Sequence, residues 1–75
     1  MRVLCDGKYK LKILAHDELL TSCNTGDYVL FKDGSYLLVY LGDDVATPIT
    51  DDPFENVADA VRAFERYVSD LRTAH

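Results

Sequence analysis

A chain of 75 residues is too short for two hydrophobic cores, and 48% hydrophobic with 28% charged side chains is ordinary globular composition, which argues against disorder. No apolar run approaches the roughly 20 residues of a membrane span, so no membrane partner is expected. A formal charge of −5 disfavours phosphate-backbone binding, so no direct nucleic-acid contact is expected either.

The first element is a hairpin. Asp6-Gly7 lies between Arg2-Val3-Leu4-Cys5 and Lys8-Tyr9-Lys10-Leu11-Lys12-Ile13, and Asp-Gly between β-type runs favours a two-residue turn. With Asp6 and Gly7 as the turn, Cys5 faces Lys8, Leu4 faces Tyr9 and Val3 faces Lys10. One face then carries Leu4, Tyr9, Leu11 and Ile13; the other carries Lys8, Lys10 and Lys12 beside Val3 and Cys5. The lysine row reads as a solvated sheet face, since no aromatic shares it for base stacking. His16-Asp17-Glu18 reads as a polar turn with a solvated histidine, and Leu19-Leu20-Thr21-Ser22-Cys23 as a short strand.

A second Asp-Gly, at residues 33 and 34, separates Tyr28–Lys32 from Ser35–Leu41 and predicts another hairpin. Taking Asp33 and Gly34 as the turn puts Val29, Phe31, Tyr36, Leu38 and Tyr40 on one face, and Tyr28, Leu30, Leu37, Val39 and Leu41 on the other. Both faces are apolar. One helix covers one face of a sheet, so the other face must be sealed by the first hairpin, a second copy or another protein. Two or three bare large side chains would forgo about 1.5–3 kcal/mol each, against only about 5 kcal/mol of total stability in a domain this small.

Residues 43–52 read as an acidic loop. Asp52 is the expected helix N-cap, with Pro53 at the first helical position and Glu55 completing a capping-box pattern. Val57, Val61, Phe64, Val68 and Leu71 follow at helical spacing, with Glu55, Asp59, Arg62, Arg66 and Ser69 opposite, so an amphipathic helix is predicted over 53–72. The expected fold is α+β: one domain over 1–75, with an antiparallel four- to five-stranded meander in 1–42 and a long C-terminal helix.

Charge is segregated. Residues 1–42 balance five basic against five acidic side chains, whereas 43–75 hold three arginines against eight acids and carry the whole −5. Asp43, Asp44, Asp51, Asp52, Glu55 and Asp59 occur with no intervening lysine or arginine. Acids near a helix N-terminus are favoured by its dipole; the same residues suit a basic partner steered by charge. Their spacing matches no calcium-loop pattern, and no metal or other cofactor is expected. Tyr28, Tyr36 and Tyr40 are the aromatic candidates for a partner or dimer contact, tyrosine being enriched at contact hot spots.

Catalysis has little support: there is no glycine-rich phosphate loop and no nucleophile elbow. Cys5 and Cys23 are the only cysteines and form no Cys-x-x-Cys pair, so reduced thiols in a cytoplasmic protein are expected. A small thiol-dependent enzyme is the alternative they leave open. The outline of a small sheet followed by one helix resembles the MbtH-like proteins, but the chain has no tryptophan and lacks their signature. In size and charge segregation it is similar to phage-encoded inhibitors of nucleic-acid-handling machines, anti-CRISPR proteins among them. The leading expectation is a small, acidic, non-enzymatic interaction protein that binds a basic surface on a larger partner. A homo-oligomer joined through the tyrosine-bearing hairpin is the other.

Overall fold

The computed structural model describes residues 1–15 and 17–73, apart from the side chain of Ser22; the expectation for His16 lies outside the described residues. Five strands, β1 (Arg2–Asp6), β2 (Tyr9–Ile13), β3 (Tyr28–Asp33), β4 (Ser35–Leu41) and β5 (Ala46–Pro48), form one sheet in sequence order, followed by the helix α1 (Val57–Thr73). The α+β class, the five-stranded sheet and the C-terminal helix are as the sequence predicts.

The sheet is not a complete meander. Three strand pairs are antiparallel, but β2 and β3 run parallel, with Leu11 beside Tyr28 and Ile13 beside Leu30. Parallel neighbours need a crossover of about a dozen residues, and residues 14–27 supply it. Within it Leu20–Ser22 form a single 3-10 turn, where the sequence suggested a strand. The reason is what this turn covers: Leu20 and Cys23 pack with Leu14, Val29, Val39, Phe31, Leu41 and Ala46 on the face of the sheet away from the helix. The crossover therefore covers the part of the second apolar face around Val29 and Val39, while Phe31, Leu37 and Leu41 stay half-buried.

Hairpin registers also differ from expectation. Asp6 pairs with Tyr9, so Gly7 and Lys8 are the turn, and Gly7 takes a φ of 64°. Leu4 now meets Leu11 instead of Tyr9. A slip of two residues leaves every side chain on its expected face. In the second hairpin Lys32 pairs with Tyr36 and Tyr28 with Tyr40, a slip of one, which reverses one strand relative to the other. Tyr28, Leu30, Tyr36, Leu38 and Tyr40 consequently share the face under the helix.

That face holds the main core. Leu11, Ile13, Tyr28, Leu30 and Leu38 from the sheet pack against Ala60, Phe64 and Val68 of α1. The helix starts at Val57, four residues later than predicted, because Phe54 bonds to β4: its N–H donates to Tyr36 O at 2.9 Å and its carbonyl accepts from Tyr36 N at 3.0 Å. Asn56 is the cap, accepting from the Asp59 amide at 2.9 Å while its own amide donates to the Asp59 carboxylate at 3.2 Å. At the other end Arg72 Nη2 donates to Asp6 Oδ1 at 2.6 Å and ties the last helical turn to the first hairpin. No helix among the described residues is long and apolar enough to cross a membrane.

Candidate functional site

The acidic stretch is continuous in sequence but divided in space. Residues 43–52 are not one loop, since Ala46–Pro48 form β5 along β4. Asp43 and Asp44 occupy the β4–β5 turn just beyond the Leu41–Ala46 pair, whereas Asp51, Asp52 and Glu55 flank Phe54, which is bridged to Tyr36. Leu41 and Tyr36 are five residues apart on an extended strand, so the two acidic groups are separated by about 17 Å.

The Asp43–Asp44 end has an additional feature. The turn is closed by the Gly42 amide donating to Val45 O at 2.8 Å. Beside it lies an open hollow of ≈ 290 Å³, with Leu20, Cys23, Leu41, Val45 and Ala46 among its walls and Asp43 and Asp44 at its rim. Two fixed points hold the crossover against this turn: Gly26 N donates to Leu41 O at 2.8 Å and Leu41 N donates to Asp27 O at 3.0 Å. Val45 is 65% exposed. The result is an apolar patch bordered by two exposed carboxylates.

At the opposite end the acids serve the fold more directly. Asp59 is engaged by Asn56 and lies 3.9 Å from Arg62, and the Asp52 carbonyl accepts from the Thr50 hydroxyl at 3.1 Å. Asp51, Asp52 and Glu55 are exposed around the helix start, where the dipole favours negative charge.

The three candidate tyrosines are not an external patch. Tyr28 is only 6% exposed, and Tyr36 and Tyr40 are half-buried under α1. Tyr28 instead centres an aromatic cluster, with ring centroids 5.1 Å from Tyr40, 5.5 Å from Phe64, 5.7 Å from Tyr67 and 6.1 Å from Tyr9. Burial, then the neighbouring Tyr67, Tyr40 and Tyr9 phenols and a hydrogen bond with Tyr67, push the Tyr28 hydroxyl up to about 12. Tyr9 and Tyr67 were legible only as members of apolar faces. The one-residue slip at Gly34 hid their convergence on Tyr28.

The lysine row divides as well. Lys12 Nζ is 2.6 Å from Asp27 Oδ2, Lys8 lies over the Tyr9 ring at 5.5 Å, and Lys10 is exposed. Cys5 is an exposed free thiol on β1 and Cys23 a half-buried free thiol after the 3-10 turn. Among the described residues no group of three or more His, Cys, Asp or Glu side chains is placed to hold a metal ion. Compared with known proteins, the chain matches no family model, no curated protein and no solved structure, so a functional reading rests on its own chemistry.

Proposed function

We infer that this chain is a non-enzymatic interaction module that docks on a basic surface of a larger protein through the Asp43–Asp44 end of its sheet. The observation that supports the reading is the conjunction of an apolar hollow walled by Leu20, Leu41, Val45 and Ala46 with two exposed carboxylates at its rim. Apolar anchors supply affinity at an interface, while charge at its border steers encounter and excludes wrong partners. The fitting partner presents an aliphatic or aromatic side chain flanked by lysine or arginine. Basic surfaces of nucleic-acid-handling complexes have this character, and an inhibitor occupying such a surface falls within the proposal. Two free thiols suit a reducing compartment such as the cytoplasm.

A defined probe tests it: a short peptide with leucine between lysines, titrated into labelled protein and followed by amide chemical shifts. Saturable shifts at Leu20, Cys23, Leu41, Val45 and Ala46, weakened by Asp43→Asn with Asp44→Asn, are expected. Shifts centred on Asp51, Asp52 and Glu55, or none that saturate, would overturn it.

A further inference from the structure

We propose that a second copy of this chain pairs antiparallel with the free edge of β1, about a twofold axis at Leu4. Among the described residues β1 pairs in the sheet with β2 alone and is its outer strand. The Gly7-Lys8 turn is closed by the Asp6–Tyr9 pair, and bonded pairs alternate along an antiparallel ladder. Arg2, Leu4 and Asp6 therefore bond inward to β2, while Val3 and Cys5 direct their N–H and C=O groups outward.

Only registers that match Val3 and Cys5 to outward groups of the second copy complete those bonds. With the axis at Leu4, Val3 faces Cys5 of the second copy and Cys5 faces its Val3, giving four main-chain hydrogen bonds. Leu4 meets Leu4 in the close, non-bonded position. At both ends Arg2 faces Asp6, because the strand Arg2-Val3-Leu4-Cys5-Asp6 carries opposite charges equidistant from its centre. An axis at Cys5 would place Leu4 against a carboxylate and Arg2 against Lys8. The charge pattern selects the first register.

The side of β1 facing the helix provides a receptor for that arginine. A hollow of ≈ 320 Å³ between β1 and α1 is lined by Leu4, Cys5, Asp6, Val61, Phe64 and Glu65. Its floor is apolar and Asp6 and Glu65 are its two acids, which suits an arginine side chain laying its stem over Leu4 and Val61. Arg72 takes Oδ1 of Asp6, and the second carboxylate oxygen is the one offered to the incoming guanidinium. On the other face Val3, 48% exposed, covers Cys5 of the second copy.

A five-residue strand contact is smaller than the roughly 1,200 Å² of a tight interface, so association is weak and is measured by sedimentation at about 0.5 mM protein. The chain sediments as a monomer–dimer mixture. Arg2→Asp and Asp6→Arg each sediment as monomers, since each brings like charges together twice in its own dimer. Mixing the two restores a dimer containing one of each. Circular dichroism confirms that each variant remains folded, and restoration on mixing cannot arise from misfolding. In a Cys5→Ser, Cys23→Ser background, Leu4→Cys oxidises to a covalent dimer. A wild-type monomer at this concentration, an Arg2→Asp variant that still dimerises, or no gain on mixing overturns the proposal.

Discussion

Lys12 and Asp27 join β2 to the end of the crossover through a 2.6 Å ion pair, and the same Asp27 oxygen accepts from the Asn24 amide at 3.0 Å. The pair closes the one parallel step in the sheet. It also engages Lys12, which is largely covered, whereas Lys8 and Lys10 are exposed. Burial pushes the Asp27 carboxyl up, but Lys12, the Asn24 amide and the Lys10 charge together outweigh it and hold it below the usual carboxylate value. The hydrogen bond to Asp27 in turn raises the Lys12 ammonium above its ordinary value despite some loss of solvent.

A carboxyl with a lower pKa folded than unfolded stabilises the fold above its unfolded value, about 3.9, and that contribution is lost as pH falls through the folded value. Wild type should therefore lose stability progressively below about pH 4. Asp27→Asn should lower the urea midpoint at pH 7 and flatten the acid limb. Equal acid sensitivity in the two proteins would remove this pair as its cause.

Tyr28 gives the opposite sign. A phenol pushed up to about 12 keeps its proton in the folded state while the unfolded chain, near 10, has lost it. Its contribution is complete below about pH 10 and is lost as pH rises towards 12. Absorbance at alkaline pH should show one of the five tyrosines ionising late, together with unfolding. Tyr28→Phe should retain the ring packing and move alkaline unfolding to higher pH.

The helix start can be read by two alanine substitutions. Asn56→Ala removes the observed cap and should cost about 1 kcal/mol by chemical denaturation. Asp52→Ala, at the position that the sequence marked as cap, should cost about 0.3 kcal/mol or less, in the range of an exposed site. Equal losses would mean that Asp52 also supports the helix.

Gly7 and Gly34 both have positive φ, 64° and 76°, but their surroundings differ. A Cβ at Gly7 would meet Arg72 Nη2 at 2.6 Å, whereas at Gly34 it meets nothing within 4 Å. Alanine at either should cost roughly 1–2 kcal/mol for the left-handed conformation. Gly7→Ala should cost slightly more, because the end of the Arg72 side chain, held by Asp6, must shift to make room. In an Arg72→Ala background the two alanine substitutions should become equal.

The helix's apolar side was legible from the helical spacing of Val57, Val61, Phe64, Val68 and Leu71, of which Phe64 and Val68 are buried together with Ala60 and the others half-buried. Its start was not, because Asp52-Pro53-Phe54-Glu55 satisfies the local capping pattern while Phe54 is claimed by Tyr36 from 18 positions away. The lysine-backed face of the first hairpin survived a register error of two. The tyrosines of the second did not survive an error of one, so a surface expectation became a core cluster. Leu19–Cys23 looked like a strand because apolar residues fit a strand or a lid equally well, and only the partner face at Val29 and Val39 decides between them. The acidic run was legible as charge; its division into two ends depends on β5, which three residues with a proline scarcely announce.

That brief fifth strand has one more consequence. Pro48 has no amide hydrogen to donate, and β5 offers only three residues to any newcomer. Of the two margins of the sheet, one is blunt and the other carries five residues. Strand-by-strand addition along one direction thus ends once the longer margin is filled, and head-to-tail growth into fibrils has no template on the far side.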